Sequence, residues 1–492
     1  MVTSVSTTAS TTATDPAKAK SSVVTKLGAG SGIDTQSLAS SLVAAEKAPR
    51  EAAINKNISK NQGVVSGFSA VKYALSNLQT AFNNLKDKSD FKSISINNSQ
   101  TSSFTASASS SAETGSHTVL ISQLAAAQRT TGTPTYATAD TAIASLTTLT
   151  LGGTGFPNVS GAAQTIAINT ATPTGVVAAI NNAGKGLSAQ LVNTGSGYKI
   201  VVTGASGASN AFTITSNAAT PDDAATGLNF STSLQSAANA ALTVDGIAIT
   251  SSSNTVSQAI TGVTLNLLAT NAASPATLNL ANDTNGAKTK VLALVSAYND
   301  ANSLLDEVTN SKSTLETYGA TLVGNSSVRT IRDQIRAMVQ GDSSTKASSG
   351  TLSALRDIGI EVDKTGKLIT NNVTLDLALT SNFSNTVMLL SGNQENQSSY
   401  DPSASGLAGD ASKALTTLLG SSGTLSTESA NATTRITKYR DDLTALEDRM
   451  SRLLARYTKQ FAAMDSIVGQ TKSTQTGLTS SFAGLMAMYT NN

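Results

Sequence analysis

The chain has 492 residues, enough for about three domains. Lys and Arg total 33 against 31 Asp and Glu, a net charge of +2, and no basic, aromatic-bearing face appears, so nucleic-acid binding is disfavoured. With no Cys and a single His, the composition argues against Cys/His zinc sites, thiol nucleophiles and Ser-His-Asp catalysis.

Residues 1–26 are rich in Ser, Thr and Ala, and residues 1–30 have the composition of a disordered tail. The first 26 contain no apolar core of about 7–15 residues, so we expect no Sec signal peptide. No run of about 20 apolar residues occurs along the sequence, and we therefore expect no membrane insertion. These features indicate a protein that stays in the cytoplasm or is exported by a route that cleaves no leader.

The first predicted helix begins near Asp34, which is either its N-cap or the second half of a capping box. Leu38, Leu42 and Val43 follow on one face of this helix. Pro49 is expected to end or kink it, or to begin the next helix as its first residue.

A second predicted helix covers about residues 50–87, and its apolar side chains recur at steps of three and four, which places them on one stripe. Gly63 and Gly67 make a bend plausible within it. The stripe consists of Ile54, Ile58, Val65, Phe68, Val71, Leu75, Leu78, Phe82 and Leu85.

From Phe91 the apolar period changes to two, which predicts a β-rich middle. The dipeptide Asp245-Gly246, flanked by alternating residues, predicts a β-hairpin at 241–249. His117 lies in a strand candidate, and we interpret it as a polar strand residue rather than a catalytic one. Further strand candidates are 91–96, 103–106, 165–168, 198–202, 212–214, 263–268 and 277–280, with a short helix at 173–182.

No catalytic arrangement stands out among the remaining residues. The run Gly152 to Gly155 lacks the strand-to-helix setting and the Lys of a phosphate loop, so it is interpreted as a turn. The carboxylate pairs 222–223 and 441–442 are interpreted as solvated surface. The sequence therefore predicts no cofactor, no metal and no enzyme activity.

Helix returns at about residues 289–308 and 328–339, followed by a mixed segment at 352–379, and the strongest pattern is a C-terminal heptad over 436–467. Seven of the eight seam positions up to residue 460 are apolar or aromatic. Position a holds Ile436, Leu443, Met450 and Tyr457, and position d holds Tyr439, Leu446, Leu453 and Gln460.

The charges beside this heptad favour an antiparallel partner. Asp442 falls at position g and Glu447 at position e, so a parallel homodimer would bring like charges together. An antiparallel partner, such as the 50–87 helix of the same chain, avoids this repulsion of under about 1 kcal/mol. The predicted class is α+β and multidomain, with terminal helices paired as a coiled-coil or helical-bundle leg and two β-rich head domains inserted between them.

The predicted division of the chain has four parts. Residues 1–48 with 430–492 form flexible or coiled-coil terminal arms, and residues 49–90 with 285–429 form the helical leg domain. Residues 91–130 with 238–284 form a β-rich head domain. Residues 131–237 form an outer, variable β-rich head domain.

The sequence contains a motif at Ser31-Gly32-Ile33-Asp34 and another from Asp357 to Leu368. Together with several others, these motifs resemble those of bacterial flagellar filament-cap proteins, the hook-associated protein 2 family. The resemblance covers nearly the whole chain except the first 27 residues and about 130–240. In the N-terminal arm it rests on Ser31, Gly32, Ile33, Asp34, Leu38 and Leu42, and elsewhere on 42–49, 116–128, 244–246, 252–256, 259–265, 298–299, 324–339, 357–368 and 461–465.

The resemblance implies a secreted protein, exported through the flagellum's own channel without a cleaved signal peptide. It implies a closed ring of five or six copies at the distal filament tip, where the cap folds and places exported flagellin and prevents its loss to the medium. Hook-filament junction proteins and a cytoplasmic export chaperone would be further partners. The helical stripe and the heptad would then supply both leg packing and the subunit interface.

Adhesion is the alternative function. In that case the outer head domain would bind host glycans or mucin and would need a sugar-binding surface. Aromatic rings for such a surface are scarce in residues 131–237, where they are limited to Tyr136, Phe156, Tyr198, Phe212 and Phe230.

Overall fold

The computed structural model describes residues 32, 34–157, 162–345, 352–398, 400 and 402–490. Long helices stand at both ends of this part and antiparallel sheets form its middle, so the predicted α+β class with paired terminal helices is confirmed. The helices of the described residues are α1 (Thr35–Asn83), α2 (Pro173–Asn182), α3 (Thr284–Thr309), α4 (Ser326–Gln340), α5 (Asn372–Ser381), α6 (Phe383–Ser391), α7 (Gly406–Leu419) and α8 (Thr424–Thr490).

The strands pair in four antiparallel sheets and one small hairpin, and short 3-10 turns lie at Lys88–Phe91, Ala208–Asn210 and Leu355–Ile358. In chain order the strands are β1 (Ile94–Asn98), β2 (Phe104–Ala108), β3 (Gly115–Gln123), β4 (Ala127–Thr131), β5 (Thr148–Gly152), β6 (Gln164–Ala167), β7 (Ser188–Asn193), β8 (Tyr198–Ser206), β9 (Thr213–Ser216), β10 (Thr232–Gln235), β11 (Ala240–Val244), β12 (Ile247–Ser251), β13 (Thr255–Ile260), β14 (Val263–Leu267), β15 (Ala276–Asn282), β16 (Ile360–Val362) and β17 (Leu368–Thr370).

The largest apolar core, which we call the helical core, joins the second half of α1 to α3–α7 and to the start of α8. Phe68 and Phe82 of α1 are buried in it. Gly67 allows α1 to approach the segment after α3 closely. A Cβ there would collide with the Thr321 side chain and lie 2.9 Å from Leu322 Cγ. Close packing of α1 against this segment therefore requires a glycine at position 67.

A second core lies between a five-stranded sheet, ordered β1-β15-β3-β11-β12, and a three-stranded sheet, ordered β13-β14-β2. The predicted hairpin is confirmed as β11 and β12, whose turn residues Asp245 (φ 51°) and Gly246 (φ 83°) have the positive φ that a type I′ turn requires. Asp245 also accepts from the Thr118 N–H at 2.7 Å and lies 2.8 Å from His117 Nδ1. The hydrogen bond from His117 lowers the pKa of the Asp245 carboxyl, so the histidine stabilises the β11–β12 turn.

A third core, the outer β core, lies between the sheets β10-β4-β8-β7 and β6-β5-β9, with α2 against them. Helix α2 has the predicted bounds because the Thr172 hydroxyl accepts from the Gly175 N–H at 3.1 Å and Pro173 fills the first helical position. Strands β4 and β10 lead the chain into and out of this sheet. The division of the chain into domains stays a prediction.

Side-chain amides bind strands at several points, each acting as both donor and acceptor toward the backbone. Asn254 accepts from the Ala125 N–H at 2.8 Å and donates to the Ala125 carbonyl at 2.9 Å. Asn299 does the same with Leu368, at 2.7 and 2.9 Å. Such amides replace strand neighbours where a sheet edge or loop would leave backbone groups unpaired. Because the chain has few charged residues, these amides supply polar contacts between packed segments.

Asn271 makes the most buried of these contacts, and we expect Asn271→Leu to destabilise the second core by about 2–3 kcal/mol. Its Oδ1 accepts from the Ile121 N–H at 2.5 Å and its Nδ2 donates to the Val119 carbonyl at 3.1 Å, so the substitution leaves both groups buried and unpaired. Asn279→Leu, at an exposed position on β15, is the matched control. Equal shifts of the denaturation midpoint for the two variants would contradict the prediction.

Pro49 does not end a helix or begin one. Helix α1 runs without a break from Thr35 to Asn83, with Pro49 exposed inside it. Proline removes one backbone hydrogen bond and crowds the preceding turn. Here Val43 and Ile54, on either side of it, belong to one apolar cluster with α8, and this packing sustains the helix through the proline.

Candidate functional site

The paired terminal helices form the candidate site, because they place the most strongly patterned residues of the chain together. Lys47 Nζ of α1 lies 3.6 Å from Glu447 Oε1 of α8. Further along α1, Gln79 Nε2 donates to Thr416 Oγ1 of α7 at 2.7 Å. On α8 itself, Leu425 lies in the helical core with Phe68 of α1, whereas Leu446 and Met450 lie against Val43. Residue numbers on α8 therefore fall as α1 proceeds, so the two helices are antiparallel, as predicted. We call residues 35–62 of α1 with residues 432–461 of α8 the rod.

The rod is held together by an apolar seam. Val43 of α1 is buried against Leu446 and Met450 of α8. Ile54, Leu453, Leu454 and Tyr457 pack around these three side chains. The heptad explains this arrangement, since residues three and four apart on α8 face the same side and meet a single stripe on α1.

The structure distributes the predicted packing residues over two places. Phe68, Leu75 and Phe82 lie in the helical core. The others follow the rod or its junction with that core. Their role as an interface between subunits stays a prediction. Ile436, Leu446 and Met450 are buried, whereas Ile54, Ile58, Val65, Tyr439, Leu443, Leu453 and Tyr457 are half-buried.

The N-terminal motif stands at the end of the rod. Asp34 is the N-cap of α1, and its Oδ1 accepts from the Ser37 N–H at 2.9 Å. Leu38 and Leu42 are 40% and 43% exposed, so they do not share the buried face of Val43. Gly32 is exposed, and Ser31 and Ile33 lie outside the described residues.

Helix α8 continues past the end of α1. Thr35 precedes Lys47 by twelve positions, so the antiparallel register brings Thr35 beside residue 459 of α8. The helix continues from there to Thr490, a further length of about 45 Å. Its large apolar side chains in this stretch are exposed, which the predicted heptad up to residue 467 did not anticipate: Met464, Ile467, Val468, Leu478, Phe482, Leu485, Met486 and Met488.

The aromatic side chains of the outer β core do not form a binding surface. Tyr136, Phe156, Phe212 and Phe230 are buried, and Tyr198 is half-buried. The Tyr136 hydroxyl donates to the Gly227 carbonyl at 2.7 Å, and burial raises its pKa. These rings are part of the outer β core, so the sugar-binding surface that adhesion needs would have to be built from other residues.

The described residues contain neither a metal-binding group nor a membrane-spanning helix. No three His, Asp or Glu side chains among them are grouped to hold a metal ion. None of the described helices is both long and apolar enough to cross a membrane.

Comparison with known proteins gives the same family at both ends of the chain. Residues 31–128 match the model of the flagellar hook-associated protein 2 N-terminus, and residues 237–473 match that of its C-terminus. Flagellar hook-associated protein 2 of Escherichia coli (strain K12) is 32% identical over 93% of this chain and 98% of its own length. A-type flagellar hook-associated protein 2 of Pseudomonas aeruginosa is 30% identical over 91% and 95%.

A solved structure agrees with these matches. The D1-D2-D3 domains of the Escherichia coli flagellar cap protein FliD superpose with a TM-score of 0.56 at 28% identity. The superposition covers 75% of this chain and 99% of that one.

Proposed function

The chain belongs to the flagellar hook-associated protein 2 family, and from this premise we propose that it caps the distal tip of the flagellar filament. It is a structural protein and not an enzyme. As a cap it forms a closed ring of five or six copies, helps each exported flagellin subunit to fold and take its place, and prevents loss of flagellin to the medium. Each subunit is exported without a cleaved leader, by way of a cytoplasmic chaperone, and the protein meets the hook-filament junction proteins.

The observation that carries the proposal is the order of units along α1. The slender rod comes first, the helical core second, and the β-rich units follow after Phe91. Two paired helices suit insertion among the helices of a filament, while the sheets suit an outer plate. Exposed apolar side chains at Leu38, Leu42 and along the end of α8 support the proposal that the rod and the part of α8 beyond it meet other chains.

The fate of flagellin in cells that lack this gene tests the proposal. We expect unpolymerised flagellin to accumulate in the medium, and we expect the purified full-length protein, added from outside, to restore filament growth. The measurement is the ratio of flagellin in the medium to flagellin in sheared filaments.

The same deletion separates capping from adhesion. Normal filaments with reduced surface attachment would contradict the capping proposal and favour the adhesin. Complementation with the protein lacking residues 131–237 gives a second comparison, because an adhesin would lose its binding surface while the rod and helical core stay intact.

A further inference from the structure

A row of cations lies along one side of α8 in the second half of the rod. Arg449, Arg452, Arg456 and Lys459 follow one another at steps of three, four and three, so they share one side of the helix. All four are exposed. No acidic residue occurs between Arg449 and Met464, although Asp and Glu nearly equal Lys and Arg in the whole chain. We call these four residues the basic stripe.

Some charges elsewhere in the rod are paired. Lys438 lies 3.6 Å from Asp442 on α8, and Arg50 lies 3.4 Å from Glu46 on α1. Within the described part of the chain, none of the four stripe residues forms an ion pair, and Arg456 instead lies 5.7 Å from the centre of the Tyr457 ring. The stripe is therefore a continuous row of four exposed cations that have no ion-pair partner among the described residues.

The stripe does not take part in the seam between α1 and α8. Leu446, Met450 and Leu453 face α1 at heptad positions a and d, whereas Arg449 and Arg456 fall at g and Arg452 and Lys459 at c. These positions lie on the flank and back of α8. A partner bound to the stripe would consequently leave the pairing of the rod intact.

Charge excludes two nearby occupants. A second copy that docked the same face would oppose the cations to one another. The acids of α1 near this level, Glu46 and Glu51, are already within 3.5 Å of Arg50 and Lys47 on their own helix. Four cations about one turn apart are complementary in charge and spacing to a helix that has acidic side chains about one turn apart on one face.

We propose that the basic stripe docks an acidic helical face of the flagellin subunit next to the cap. The inference rests on the proposed function, since it names the surface of the leg that holds the partner. The four contacts are solvent-exposed, so they orient the incoming subunit and speed its docking, and they weaken as salt rises because the screening length falls to about 8 Å at physiological ionic strength.

The test measures binding of purified flagellin from the same bacterium to the full-length protein at NaCl concentrations from about 50 to about 300 mM. The combined variant Arg449→Glu, Arg452→Glu, Arg456→Glu and Lys459→Glu is expected to bind at least about tenfold more weakly at low salt, and to lose the salt dependence. Replacing the three arginines with Lys keeps the charge and is expected to retain both.

A matched control carries Lys56→Glu and Lys60→Glu, two exposed cations on the other helix of the rod. Circular dichroism and sedimentation velocity show whether each variant keeps the fold and oligomeric state of the parent. Unchanged affinity and salt dependence in the stripe variant would overturn the inference, as would an equal loss in the Lys56/Lys60 control or an effect confined to self-association.

Failure of this inference is distinguishable from failure of the proposed function. If the parent protein restores flagellin retention to deleted cells and the stripe variant does so equally well, the cap function stands and the stripe has no part in it. If the parent itself does not restore retention, the proposed function fails.

Discussion

Replacing Leu446 and Leu453 with Asp is expected to separate α8 from α1 along the rod and to abolish retention of flagellin at the filament tip. Leu446 is buried and Leu453 packs beside it, against Val43 and Met450. Each substitution removes apolar contact and puts a carboxylate into an apolar seam, at a cost of about 3 kcal/mol or more per site. Because the rod has only a small cluster of buried residues, two such losses exceed what holds it together.

The loss should be local. Phe68 and Phe82 lie in the helical core, outside the seam, so we expect that core to keep its denaturation midpoint while circular dichroism shows reduced helix content. Limited proteolysis should then cleave the chain between residues 35 and 62. Thr444→Asp with Ser451→Asp, both at exposed positions of α8 on the side away from the basic stripe, adds the same charge and should change neither measurement. A doubly substituted seam that still caps filaments would show that the heptad does not build the leg.

Phe82→Ala should produce the largest loss of stability from a single substitution, about 3–5 kcal/mol in the free energy of unfolding of the helical core. The side chain is fully buried where α1 meets the other helices of that core. Truncation removes its apolar contacts and leaves a cavity that rigid neighbouring helices fill poorly. The shift of the guanidinium midpoint measures the effect.

Tyr73→Ala is the control for this measurement, since Tyr73 is an aromatic residue of the same helix with 71% of its side chain exposed. Its substitution should change the free energy by less than about 0.5 kcal/mol. Similar losses for the two variants would mean that helix propensity rather than core packing sets the stability of α1.

Much of this fold could be predicted from the sequence, at the places where a single local rule determines the structure. The Thr172–Pro173 start fixes α2, the Asp245–Gly246 pair fixes the β11–β12 turn, and the heptad of α8 reveals the seam. Local rules fail where contacts with residues distant in the sequence determine the backbone conformation. Pro49 is kept inside a helix because residues on either side of it pack against α8.

Several of the elements that sequence patterns missed are short and show little alternation. Strand β10 is exposed at all four positions, so its sequence shows no apolar period. It forms because its backbone pairs with that of β4. Helices α6 and α7 are buried on much of their surface, which hides the period of an amphipathic helix. The basic stripe depends on the absence of acidic partners in space, which only the packed structure reveals.

The core of the leg also sets the order in which the molecule can fold. Gln79 donates a hydrogen bond to Thr416, which lies 337 positions later in the chain. The hairpin β11–β12 and helix α2, in contrast, are each formed by residues close together in the sequence. Contacts between such distant segments carry the largest closure cost and form last. A chain that stops before α7 therefore leaves part of the apolar stripe of α1 uncovered, and the helical core is complete only when α7 and the start of α8 are present.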